Sequence, residues 1–295
     1  GASWYYTWGT GIGNPGNCDA NHIPMFWNAP SQTTINNVRD RNTEWVLGFN
    51  EPERPDQANM SVAQALSSWS TISNSFAGSS TKLISPGVAD TVDSGGTMGG
   101  RTWLANFMSE LNVRKTDPLN PNYNPNLRVD AIAFHWYGAS TPNNPAGAAA
   151  SFLGSVELYH NTYGLPLFIT EFAIHDWGGI YTDAEIIEAN RQFLNIVIPA
   201  LESRSYVAGY SWFKGFSDSR LWEGNPPTPT PMSYSYIGAV TAGQVSDIGG
   251  QDLGEHVAYL AGGELTMTGP TPGTIRYINA LAGVSTISGA IDWNL

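Results

Sequence analysis

Runs of β-forming residues alternate with helix-like segments along this chain, at 4–8, 23–27, 45–50, 83–86, 131–136, 167–172 and 208–213. Strands alternating with helices predict parallel βα units. Two of the runs close on a glutamate: Leu47-Gly48-Phe49-Asn50-Glu51-Pro52 and Phe168-Ile169-Thr170-Glu171-Phe172. A carboxylate left unpaired inside an apolar strand is costly. At the strand's carboxyl end it can face a cleft instead. Trp8, Trp27, Asn50, His135-Trp136-Tyr137 and Trp212 also fall at or just beyond strand ends. In a (β/α)8 barrel those ends converge on the face that carries the active site. The expected fold is therefore α/β, a (β/α)8 TIM-like barrel, and 295 residues suffice for one.

Two helices show clear start signals. Ser61 can cap a helix over 61–76, and Thr182 with Glu185 forms a capping box for one over 182–202. The segment 225–231, Asn-Pro-Pro-Thr-Pro-Thr-Pro, reads as a stiff loop or linker. The stretch 232–295 is Gly- and Thr-rich, with a Gly-Pro-Thr-Pro-Gly turn at 269–273 and a β-like run at 274–278. This predicts a catalytic barrel over 1–224, a Pro-rich connection over 225–231 and a β-rich C-terminal extension over 232–295. No helix candidate follows Phe213.

Composition narrows the partners. Charged residues make up 13% and aromatics 12%, with a net charge of −12. Phosphate backbones need Lys and Arg to neutralise them, so nucleic acid is excluded, and an anionic membrane surface is repelled. No run is long enough to span a membrane. A surface short of charge and rich in flat rings suits a neutral polyhydroxylated ligand. Cys18 is the only cysteine, so no intrachain disulfide and no multi-cysteine metal site is expected. The five histidines lack ligand spacing, Gly9–Gly13 lacks the Lys-Ser/Thr ending of a phosphate loop, and no Gly-x-Ser-x-Gly elbow occurs. No metal and no cofactor are expected. The low Lys content and the opening Gly1-Ala2-Ser3, without a basic and apolar leader, lead to the expectation of a secreted monomer whose signal is removed or was never present.

Two glutamates 120 positions apart (171 − 51) suggest a pair brought together by folding. Paired carboxylates across a cleft are the working groups of most glycoside hydrolases. The residues bear this out as a resemblance. Trp4-Tyr5-Tyr6-Thr7-Trp8, Pro24-Met25-Phe26-Trp27, Leu47 to Glu53, Phe134-His135-Trp136-Tyr137-Gly138 and Ile169-Thr170-Glu171-Phe172 resemble glycoside hydrolase family 128 of clan A. The resemblance implies an endo-β-1,3-glucanase on a (β/α)8 barrel, with the acid/base on the fourth strand and the nucleophile on the seventh. Counting back from Glu171 makes Glu51 fourth. Only two runs precede it, so the barrel is irregular or incomplete at its first strand, and the C-terminal extension is expected to fill the gap.

On this reading Glu51 is the general acid/base and must hold a proton while Glu171, the nucleophile, is ionised. Retention requires the carboxyl groups about 5–5.5 Å apart, and inversion about 6.5–9.5 Å. Asn50 would bond the sugar 2-hydroxyl; the plainer alternative is a turn residue before Pro52. His135 orients Glu171 or binds a hydroxyl, or is a satisfied structural histidine. Tyr137 bonds the nucleophile or a sugar. Trp212 forms the floor beneath the cleaved sugar, and Trp8, Trp27 and Trp136 flank it, although any single tryptophan is as well explained by core packing. Glu53 faces the cleft or starts a helix, and Trp177 sits on a loop over the cleft. Two other readings are a hydrolase of another β-glucan, such as a mixed-linkage one, and a non-catalytic β-glucan-binding barrel.

Overall fold

The computed structural model describes residues 4–13, 20–138, 142–213, 219–223, 228–236, 240–241, 257–261 and 264–268. Cys18 and the runs at 269–273 and 274–278 lie outside them. Eight short strands come first: β1 (Trp4–Tyr5), β2 (Asn21–His22), β3 (Trp45–Val46), β4 (Lys82–Leu83), β5 (Val88–Ala89), β6 (Ile132–Gly138), β7 (Leu167–Ile174) and β8 (Val207–Trp212). Between them run α1 (Gln32–Arg39), α2 (Val62–Ser75), α3 (Gly100–Thr116), α4 (Pro145–Tyr163) and α5 (Asp183–Glu202).

Every pairing among these eight strands is parallel. β1 pairs with β2, β3 with β4, and β5, β6, β7 and β8 follow in order. Single bridges Met25–Leu47, Asn50–Gly87 and Ile84–Ala131 join these groups. β4 and β5 lie on one run, so the expected runs take seven successive places in one ladder. No eighth strand joins it among the described residues.

The sheet has a different hydrophobic layer on each face. The smaller one gathers Ile23, Met25, Leu47, Ile84, Ala131, Ala133 and Phe168, with Trp4, Tyr6, Trp27 and Trp45 packed on it. Trp4 meets Phe168 edge-on at 5.6 Å, and the Tyr6 hydroxyl donates to the Thr170 carbonyl at 2.9 Å. The ladder thus curls until its first strand faces its sixth and seventh places across this cluster. The larger layer joins Phe49, Phe134, Trp136, Ile169, Phe172 and Trp212 to the apolar faces of α2 to α5. Helix starts follow the sequence signals: Ser61 and Thr182 both close capping boxes. Asn144 caps α4 before Pro145, and Gly164 ends it at φ +62°.

Strand periodicity assigns side chains to the two layers. Along β6, Ala133, His135 and Tyr137 alternate with Phe134 and Trp136, as a period of two requires. β7 breaks the rule. Phe134 pairs with Ile169 but His135 pairs with Glu171, which leaves Thr170 as an extra residue in a β-bulge. Strict alternation from Phe168 would send Glu171 to the helix side. The bulge turns it inward, beside His135.

The C-terminal part differs from expectation. β9 (Trp222–Glu223) and β10 (Thr228–Pro229) pair antiparallel. Pro231 then opens α6 (Pro231–Tyr236), a position proline favours because the first helical N–H has no intrahelical partner. Met232 is fully buried in the larger layer, and the Tyr236 hydroxyl accepts the Trp212 N–H at 3.2 Å. The main core therefore runs past residue 224, and α6 is the helix that sequence reading did not find after Phe213. β11 (Val240–Thr241), β12 (Val257–Ala261) and β13 (Glu264–Thr268) pair antiparallel with one another. Among the described residues none of them enters the parallel ladder, so the expected gap-filling strand is not found there.

Candidate active site

Glu51 and Glu171 meet at the carboxyl ends of the strands, in a cleft of about 210 Å³ lined by Trp8, Trp27, Asn50, Gln57 and Phe213 as well. Both are nearly buried, 7% and 5% exposed. Gly48 brings Glu51 there: a Cβ at this position would lie 2.7–2.8 Å from the Ser85–Pro86 backbone, so only glycine lets the two strands approach so closely. Glu51 itself adopts φ +37°, and Trp8 φ +50°. Among the described residues the other non-glycine positions at positive φ are asparagines, which tolerate it. Strain at a glutamate and a tryptophan facing one cleft is the pattern of a functional site.

The two carboxyl groups have different partners. Glu171 accepts the Trp8 indole N–H at 2.7 Å on Oε1 and the Tyr137 hydroxyl at 2.5 Å on Oε2, while the Tyr6 hydroxyl, whose one proton is shared with the nearer Thr170 carbonyl, lies 3.3 Å from Oε1. Burial and the neighbouring Glu171 charge hold both phenols protonated, their pKa values raised far above the usual tyrosine range. They remain donors across any working pH. Glu51 Oε1 lies 2.8 Å from His135 Nδ1, and its Oε2 lies 3.2 Å from the half-exposed Arg54 guanidinium. Which of Glu51 and His135 donates depends on where their shared proton sits.

His135 is fully enclosed between the glutamates, its Nδ1 also 3.4 Å from Glu171 Oε2. Burial opposes its charge, but the Glu171 field and the Glu51 hydrogen bond and charge outweigh it, and its pKa is raised. One ring nitrogen of His135 and one oxygen of each glutamate fall within 4.8 Å of one another. That spacing would admit an ion. The three groups are already bonded through the imidazole, however, so they form an acid–base cluster and no metal is assigned to them. Asn50 donates from Nδ2 to Gln57 at 2.9 Å, while its Oδ1 is buried with no partner among the described residues. A donor from a bound molecule would satisfy it.

The structure brings Trp8, Trp27, Asn50, Glu51 and Glu171 to the cleft, with His135 and Tyr137 bonded to the glutamates. Trp136 and Trp212 are corrections. Trp136 stacks on Phe193 at 5.5 Å, and Trp212 packs edge-on against Phe172 at 5.2 Å and donates to the Ser219 carbonyl. Both belong to the helix-side layer, because parity puts them one residue out of phase with the inward face. Phe213, not Trp212, lines the cleft. Sequence reading missed Tyr6, Gln57, Arg54 and Phe213. Tyr6 was discoverable, since it lies two residues before Trp8 and shares its face. Trp177 is 64% exposed and meets Tyr137 edge-on at 5.7 Å.

Comparison with known proteins places this cleft in a class. The family described as "Glycosyl hydrolase catalytic core" matches residues 1–236. A family 128 (subgroup I) endo-β-1,3-glucanase from Amycolatopsis mediterranei, solved with laminaritriose, is 27% identical, with a TM-score of 0.63 over 80% of this chain and 89% of its own. A subgroup III curdlan-specific exo-β-1,3-glucanase from Blastomyces gilchristii, solved with glucose, shares the fold at 24% identity and TM-score 0.56, covering 79% and 88%. Alkali-sensitive linkage protein 1 of Schizosaccharomyces pombe is 24% identical over 230 residues, which is 76% of this chain and 37% of that protein. The chain spans little more than a third of that relative. It belongs to the glycosyl hydrolases of family 128.

Proposed function

We propose that this chain is a retaining endo-β-1,3-glucanase that works by double displacement. The observation that carries the reading is the pair of buried strand-end glutamates, with an oxygen of each within 4.8 Å of the other. Carboxyl groups this close favour the retaining arrangement, in which the second carboxylate attacks the sugar itself, over the wider spacing of inverting enzymes. Glu171 attacks the anomeric carbon. The Trp8 indole and the Tyr137 hydroxyl, one donor on each oxygen, fix the direction of its carboxylate. Glu51 hands its proton to the leaving oxygen, then takes one from the water that hydrolyses the glycosyl-enzyme. His135 is the partner with which Glu51 shares that proton. Asn50 takes the sugar 2-hydroxyl on its buried Oδ1. Trp8, Trp27 and Phe213 supply the flat apolar walls a glucose ring needs.

The glucan linkage and endo action are supported by the Amycolatopsis enzyme, an endo-β-1,3-glucanase with laminaritriose bound. The reading includes a β/α barrel of seven parallel strands, closed where Trp4 meets Phe168. It also takes the protein as a secreted monomer acting on a neutral polysaccharide, in keeping with 13% charged residues and a net charge of −12. No helix among the described residues is long and apolar enough to cross a membrane.

Mutation tests the pair directly. Glu51→Gln and Glu171→Gln should each lower laminarin turnover by about a thousandfold or more, while calorimetry still detects laminari-oligosaccharide binding. Near-normal turnover in either variant sinks the assignment.

A further inference from the structure

Glu53 takes part in none of these steps, yet it is built into the same site. Its Oε1 accepts the Ala89 N–H at 2.8 Å, and its Oε2 is buried with no partner among the described residues. Ala89 pairs with His135 across β5 and β6, and His135 Nδ1 meets Glu51 at 2.8 Å. A ring of contacts therefore runs from Glu51 along the backbone to Glu53, across to β5 and β6, and back to Glu51. It contains the residue whose backbone most needs holding, since Glu51 sits at φ +37° and such strain persists only where the surroundings over-determine it. Helix α3 presses on the same carboxyl group. A Cβ on Gly100 would come within 2.9 Å of Glu53 Oε1 and 2.0 Å of the Ala89 carbonyl oxygen. The charged groups that act on Glu53 are Glu51 and Arg54 on its own turn and His135 on β6. Burial, aided by Glu51 and opposed by the Ala89 hydrogen bond and His135, pushes its pKa up to about 7.

We infer that Glu53 is a positioning residue for Glu51: its carboxyl group anchors the Glu51 turn to β5. The inference rests on Glu51 being the acid/base. Glu53→Gln keeps the anchor, because the amide oxygen still accepts from Ala89, and Glu53→Ala loses it. With laminarin as substrate, Glu53→Ala should lower kcat about tenfold or more with a smaller change in KM, and Glu53→Gln should recover most of that loss. A wild-type kcat in Glu53→Ala, or a loss in Glu53→Gln as large as in Glu53→Ala, overturns the inference. If Glu53→Ala does not fold, Glu53→Gln decides alone: a kcat close to wild type supports the anchor, and a loss of about tenfold or more overturns it. Wild-type protein inactive on every β-glucan overturns the assignment of Glu51, and this inference with it.

Discussion

Glu171 receives an uncharged donor on each oxygen, from Trp8 and Tyr137, whereas Glu51 shares a proton with an imidazole, and this asymmetry divides the labour between two otherwise similar side chains. Tyr137→Phe removes the shortest bond to the nucleophile and should lower kcat roughly a hundredfold with little change in KM; a variant as fast as wild type would show that the bond does not matter in the transition state. Trp27 and Trp136 make a sharper contrast. Trp27→Ala should raise KM several-fold, as loss of a ring-stacking surface does, while Trp136→Ala should lower the thermal midpoint and leave KM of the folded fraction in place. Stability carries a further signature. Glu53 has a folded pKa of about 7 against 4.5 for the free group, so the folded state binds the extra proton between those values. Its contribution is therefore present at low pH and lost as pH rises from about 4.5 to about 7. His135, also raised, acts in the same direction, its contribution fading above its ordinary value of 6.5. Melting should thus come earlier at pH 8 than at pH 5, and the decline should be shallower in Glu53→Gln. At this scale both glutamates were legible in the sequence, because a carboxylate ending an apolar run has few structural explanations. The roles of Trp136 and Trp212 were not. A tryptophan one position from the cleft-facing phase looks the same in sequence as one that faces the cleft.

Elements carry the geometry through two irregularities. The bulge at Thr170 and the close strand approach at Gly48 each break simple alternation, and each delivers one of the glutamates. Gly48→Ala should cost about 1–3 kcal/mol by overpacking, seen as a fall of several degrees in Tm; an unchanged melting curve would mean the strands can separate at no cost. The order and spacing of strands and the two capping boxes could be read from sequence because they depend on local patterns. The bulge could not, since it is defined by the register against β6 and β8. Helix α6 escaped for a related reason. Its six residues are too few to show a helical period, and its burial comes from contacts with α5 and the larger layer.

At the level of the whole molecule, one parallel ladder with a small inner cluster and a large outer layer brings residues from the ends of five of its seven runs to one cleft. The aromatic composition overstated the ligand surface, since Phe134, Phe152, Phe172, Phe193 and Trp69 are all spent on the outer layer. The low charge remains informative: a neutral ligand predicts laminarin turnover that is insensitive to ionic strength, and the hydrogen-bonded glutamate–imidazole cluster predicts that it survives dialysis against a chelator. The central claim is double displacement by Glu51 and Glu171, and the anomer released first tests it most directly. Proton NMR of a laminari-oligosaccharide digest, followed from the first turnovers, should show the β-anomer appearing before mutarotation. An initial α-anomer would contradict the account.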